Sequence, residues 1–214
     1  IFVMIWFTKL FVKVVTLLVP SKKEELSDID GRPHLEFISG GLMSTSELSI
    51  LQAHKEILVM SDRTSRMHDM VGQMYSEKNS DEFASLFERV QKYENISDNM
   101  EVEIATYLSK VADGRLSDDS KHSIQMKLRE ISEIESIGDS YYNMARILQR
   151  RNENRIEFTA DMNLNFAEMF ALVQKAYKQM ADSLVNNSHA SSSDLIRTMK
   201  TESSINAMRN KLKE

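Results

Sequence analysis

Carboxylates recur at Glu94, Asp98 and Glu101 in the stretch ENISDNMEVE, and the four-residue step returns at Glu135 and Asp139, with Asn143 four residues further on. On a helix that step stacks side chains along one face. Carboxylates stacked in this way repel and raise one another's pKa unless a cation lies between them. An all-oxygen donor set suits magnesium, manganese or iron, and zinc less well. One such pair alone is most simply a solvated helix face. Two matched pairs at one level on neighbouring helices arise less easily by chance, so a metal or cation site stands beside the solvated face as a reading.

Those neighbouring helices can be read from the surrounding residues. Leu86, Val90, Tyr93, Met100, Ile104, Tyr107 and Val111 keep helical spacing and predict the core face of a helix from Asn79 to Val111, broken by Asp113 and Gly114. Ile124, Ile131, Ile134, Tyr141 and Ala145 define the core face of the next. It begins at Ser117, with Asp118 and Asp119 at its positive end, and finishes near Arg150 and Arg151. The turn between them is short, so the two run antiparallel.

At about 100° per residue, each acidic row lies about a quarter turn from its core face, in the same rotational sense. Reversing one helix mirrors that sense, so the rows share a groove or lie on opposite flanks according to bundle handedness. The turn at Leu116 and Ser117 lies midway between the pairs, which sets Glu94 and Asp98 level with Asp139 and Glu135. Gly138, beside Asp139, would let another backbone approach closely; close packing alone explains it equally well.

An earlier helix is expected from a capping box, Ser44 with Glu47, and carries the stripe Ala53, Ile57, Met60, Thr64, Met67, Val71 and Met74 before ending at residues 75–78. Met162, Phe166, Met169, Val173, Met180 and Leu184 form the stripe of a fourth helix, and a fifth runs from Asp194 to Glu214 after the break NNSHASSSD. Only six Gly and two Pro among 214 residues, with 14 Met and 7% aromatics, suit long helices packed by flexible side chains. The expected fold is all-α with long antiparallel helices. Residues 47–152 make a three-helix bundle, and residues 153–214 supply the first two helices of a second, truncated bundle.

The net charge of −5 offers no basic surface, which argues against nucleic acid as a partner. The absence of cysteine excludes disulfides and thiolate metal sites. Residues 1–20, IFVMIWFTKLFVKVVTLLVP, are apolar but interrupted by Lys9 and Lys13, and predict the end of a transmembrane helix or an interfacial helix, with Trp6 near the interface. Lys22 and Lys23 then place the rest of the chain on the cytoplasmic side. Residues 21–46, with Pro33 and three of the six glycines, read as a linker.

The five histidines, His34, His54, His68, His122 and His189, show no ligand spacing, and His68 is expected at the surface of the first helix. The Glu-x-x-His pattern of di-iron bundles does not occur, and no Gly-rich phosphate loop or nucleophile triad can be assembled, so no enzyme is expected. The run RILQRRNENR reads as a solvated helix end rather than a phosphate-binding patch.

At the acidic pairs the sequence resembles the PhoU family, helical regulators of phosphate uptake marked by a repeated Glu/Asp-x-x-x-Asp motif on paired helices. ENISDNMEVEI is similar to the first motif and EIESIGDSYYNMARIL to the second, and the likeness spans residues 47–150. The order of membrane segment, linker and bundle resembles the cytoplasmic C-terminal region of bacterial sodium/phosphate cotransporters. What the resemblance implies is a regulatory domain at the inner membrane, on its cytoplasmic side, attached to the transporter's own transmembrane domain. Sodium and phosphate would be cargo of the parent protein. It also implies a cluster of iron, zinc, manganese or magnesium held by Glu94, Asp98, Glu135 and Asp139, with Glu101 and Asn143 as additions, and is compatible with a homodimer. A second copy of the motif is faint at Glu202 and Asn206, where Arg209 replaces the third acid and weakens any cation site. The competing expectation is a membrane-tethered helical interaction domain without metal, its acidic rows serving solubility and its Met-rich faces binding a partner.

Overall fold

Apolar residues repeating at threes and fours, with hardly a glycine or proline to interrupt them, commit most of this chain to helices that must bury one stripe. The computed structural model describes residues 35–38, 45–186 and 191–213. Among the described residues it has five helices and no strand: α1 (Ser46–Ser76), α2 (Ser80–Ala112), α3 (Asp118–Glu153), α4 (Ala160–Asn186) and α5 (Ser192–Lys211). The described residues form an all-helical bundle.

Local capping sets several of these boundaries. The Asn79 side chain accepts from the Asp81 and Glu82 amides, and Ser117 accepts from Ser120, so α2 and α3 begin where short polar side chains satisfy otherwise orphaned donors. Two starts differ from expectation. The N-cap of α1 is Thr45, whose side chain makes no capping hydrogen bond; Ser44 lies outside the described residues. Helix α5 starts two residues before Asp194, because Ser191 and Asp194 form a reciprocal capping box. At the end of α3, Arg155 takes a left-handed φ of 52°, and the Ile156 amide closes back on the Arg151 carbonyl at 3.0 Å.

The three long helices pack on one another. Gln52, Arg63 and Arg66 of α1 reach Tyr107, Met100 and Tyr93 of α2, an antiparallel register, while α1 and α3 run parallel, with Thr64 and Met67 beside Gly138 and Tyr75 beside Arg151. The whole predicted stripe of α1 is buried, as are Leu86, Val90, Tyr93, Met100, Ile104 and Val111 of α2 and Ile124, Ile131, Ile134, Tyr141 and Ala145 of α3; Tyr107 is half-buried. Each such aliphatic side chain contributes about 1.5–3 kcal/mol.

The core falls into two apolar clusters, one around Ile57, Met60, Ile104, Leu108 and Ile131, the other around Met67, Val71, Val90, Tyr141 and Leu148. Between them Thr64, Ser97 and Gly138 make a waist of small or polar groups. A Cβ built at Gly138 would stand 3.8 Å from Met67 Sδ and from Ser97 Oγ, ordinary contact distance, so close backbone approach is not the reason for this glycine. Helix α4 lies against α1, and α5 packs on α4. In these two helices only Tyr177, Thr201 and Met208 are buried among the described residues.

No described helix is long and apolar enough to cross a membrane. Residues 1–34, on which the membrane-segment and most of the linker expectations fall, lie outside the described residues.

Candidate functional site

The acidic rows lie in one groove between α2 and α3. One carboxylate oxygen from each of Glu94, Asp98 and Asp139 falls within 4.8 Å of the others. Their helices place them there for a simple reason. Antiparallel pairing sets Ser97 beside Gly138 and Gln91 beside Tyr142, where the amide of Gln91 donates to the tyrosine hydroxyl at 3.1 Å. Residues one turn apart on α2 then flank residue 139 on α3.

Glu94 is half-buried, and Asp98 and Asp139 are exposed. Partial burial raises the Glu94 pKa, and the neighbouring Asp98 and Asp139 push it further up. Asp98 is raised by burial and then by Asp139. Glu135 stands one turn along the groove. Its pKa is raised by burial, then by Asp139, Glu101 and Asp98, while the Ser136 hydroxyl, donating at 3.3 Å, partly offsets this. Glu94, Asp98, Glu101, Glu135 and Asp139 are therefore one electrostatically coupled row, with Glu94, Asp98 and Asp139 close enough to share a ligand. Asn143, one turn beyond Asp139, is exposed.

Oxygens up to 4.8 Å apart can surround one ion whose metal–oxygen bonds are about 2.0–2.6 Å. The three carboxylates could together hold a metal ion. On the core side of the row, the buried Ser97 Oγ has no hydrogen-bond partner among the described residues.

The site the sequence hides lies on the other side of α1. His68, expected at the surface, is 2% exposed: its ring stacks on Phe170 of α4 at 3.8 Å and meets the edge of Tyr141 of α3 at 5.4 Å. A lone imidazole on a helix carries no sign of being covered until a partner helix is known. Gly72 makes the covering feasible, since a Cβ there would meet Phe170 at 2.9 Å. Nor is RILQRRNENR only a solvated end. Arg151 lies over the rings of Tyr75 at 4.9 Å and Phe158 at 4.6 Å and donates to the Tyr75 carbonyl at 3.0 Å, tying α3 to α1 and to the start of α4.

Further along, the Lys127–Glu130 ion pair of α3, 2.9 Å long and largely buried, stands beside His54. The carboxylate of Glu56, fully buried, accepts from the amides of Phe37 and Ile38 and so fixes residues 35–38 on the bundle. Desolvation raises its pKa in spite of those donors. Helices α4 and α5, with Tyr141 and Met144 of α3, also line an apolar cleft of about 550 Å³ walled by Phe158, Phe166, Met169 and Phe170, with Lys211 at its edge. No family profile, curated protein or solved structure matches this chain.

Proposed function

We propose that this chain is a non-enzymatic, PhoU-like regulatory module of a sodium-dependent phosphate transporter, responding to a divalent cation held between α2 and α3. The observation that carries the cation is the convergence of Glu94, Asp98 and Asp139 within 4.8 Å. Burial and mutual repulsion already raise the Glu94 and Asp98 pKa values. A cation there would remove the repulsion and join the two helices, so occupancy would change how firmly they pack. Glu135 and Glu101 would extend the negative field, and Asn143 would at most reach it through water. The all-oxygen set favours magnesium, manganese or iron over zinc. The transporter context rests on the motif resemblance and the apolar segment that precedes the bundle.

The test is elemental analysis of the purified chain together with titration of manganese and magnesium into the chelator-treated protein, followed by calorimetry and thermal unfolding. Binding and a higher melting temperature are expected for the unaltered chain, and both are lost in Glu94→Gln with Asp139→Asn. An unaltered chain that neither binds nor is stabilised removes the cation from the reading.

A second reading, a helical interaction domain without metal, draws support from Leu164, Val185, Leu195, Ile196 and Met199, which α4 and α5 leave more than half exposed.

A further inference from the structure

Four of the contacts between α4 and α1 keep one register. His54 stands beside the Leu184 backbone. The Tyr177 hydroxyl donates to the Ser61 carbonyl at 2.7 Å and lies 3.2 Å from Ser61 Oγ. His68 stacks on Phe170, and the Tyr75 hydroxyl donates to Asn163 Oδ1 at 2.5 Å. Each contact advances seven residues along α1 and retreats seven along α4, the repeat of an antiparallel coiled-coil seam. Such a seam ordinarily carries aliphatic knobs. Here these four α1 positions are polar or aromatic, and two are histidines.

Both rings are shut from water, His54 at 5% and His68 at 2% exposure, and the Nδ1 of each has no partner among the described residues. A neutral imidazole can leave that nitrogen bare. A protonated one brings a charge and a second donor to a place where nothing accepts it.

The surrounding groups do not supply the missing acceptor. Lys127 and Glu130 of α3 stand beside His54, and the ammonium opposes a second positive charge more than the carboxylate, held by that same lysine, invites it. Around His68 are Asp69 of α1, Tyr141 of α3 and Phe170 of α4, with Tyr177 of α4 and Asp62 of α1 acting beyond them. A charged His68 would gain some attraction to the Phe170 face, but its Nδ1 proton would stay buried. Helix α2 meets α1 at Gln52, Arg63 and Arg66, about half a turn from the seam, so its charges face elsewhere.

We propose that the α1–α4 seam is a proton-operated latch: protonation of His54 and His68 releases α4, with α5 packed on it, while α1, α2 and α3 stay folded together. Burial holds both rings below the ordinary histidine range, with Lys127 adding to the effect at His54. The docked state therefore binds fewer protons than the released one. Docking is at full strength above about pH 6.5 and weakens as pH falls below it, by up to about tenfold per ring for each pH unit. Neither histidine belongs to the acidic cluster, so latch and cation site can fail separately.

Because the chain has no cysteine, introduced pairs can be spin-labelled uniquely. Ser132→Cys on α3 with Lys178→Cys on α4, both at exposed positions, reports docking in the full chain. One short distance is expected at about pH 7.5, and a second, longer and broader population at about pH 5. A control pair, Ser109→Cys with Ser132→Cys across α2 and α3, should keep its distance. Adding His54→Gln and His68→Phe, which keep a hydrogen-bonding group and a stacking ring but cannot titrate there, should leave α4 docked at the lower pH. If that double variant does not fold, His68→Phe alone should halve the steepness of the transition. The latch is refuted if the chain with both histidines shows no second population at the lower pH, or if the non-titrating variants release α4 just as readily.

Discussion

The three-helix bundle and the α4–α5 pair draw on the same residue types, Met, Ile, Leu and Val, yet they meet their neighbours in opposite ways. Helices α1, α2 and α3 bury whole stripes in two apolar clusters. Helix α4 buries only Tyr177 among its described residues; Val173, Met180 and Leu184 rest half-buried on the clusters, and a row of hydroxyl, imidazole and aromatic contacts sets its register. Apolar burial is non-directional and barely depends on pH, whereas a polar seam depends on each partner's protonation and geometry. The two regions should therefore open with different free energies.

The largest test of that difference is truncation. Leu108→Ala or Ile131→Ala, at side chains that are at most 1% exposed, should cost about 2–5 kcal/mol in urea unfolding of the bundle. Met169→Ala, at a half-buried site on α4, should cost about 1 kcal/mol. Equal costs would remove the energetic contrast between the two regions.

Next comes Tyr177→Phe, which removes the donor to the Ser61 carbonyl and should cost about 1–3 kcal/mol. Amide exchange should accelerate in α4 and α5 while α2 and α3 keep their protection.

Two glycines should give opposite signs at smaller amplitude. Gly138→Ala meets only ordinary contacts and should stabilise by about 0.5–1 kcal/mol through helix propensity. Gly72→Ala drives a Cβ against Phe170 at 2.9 Å, so it should loosen α4 and offset the same gain in chemical denaturation.

The smallest effect separates the regions by pH. Glu94, Asp98 and Glu135 have folded pKa values above their unfolded ones, so their ionised forms work against the metal-free bundle. That penalty is relieved as pH falls through the raised values and is gone below about pH 4. Solvent screening keeps it small. Between about pH 7.5 and 5, amide protection in α2 and α3 should rise slightly while that in α4 falls. Parallel trends would remove the distinction.

Much of the bundle could be read from residue order alone. Stripes at threes and fours, the caps at Asn79 and Ser117, and the break at Asp113 and Gly114 define three helices locally, because each signal acts within a turn or two of its own backbone. The level of the acidic pairs follows from helix rise and a short turn. Whether the rows share a groove does not, since that depends on the side to which the third helix folds. The same limit hid the latch. His54, Ser61, His68 and Tyr75 recur every seven residues in plain view, but a polar heptad reads as a solvated face until another helix covers it. Periodicity determines which face of a helix is unlike the others. Only the tertiary structure decided what lies against that face, because a contact between residues more than a hundred positions apart, such as Ser61 with Tyr177, leaves no trace in the neighbours of either.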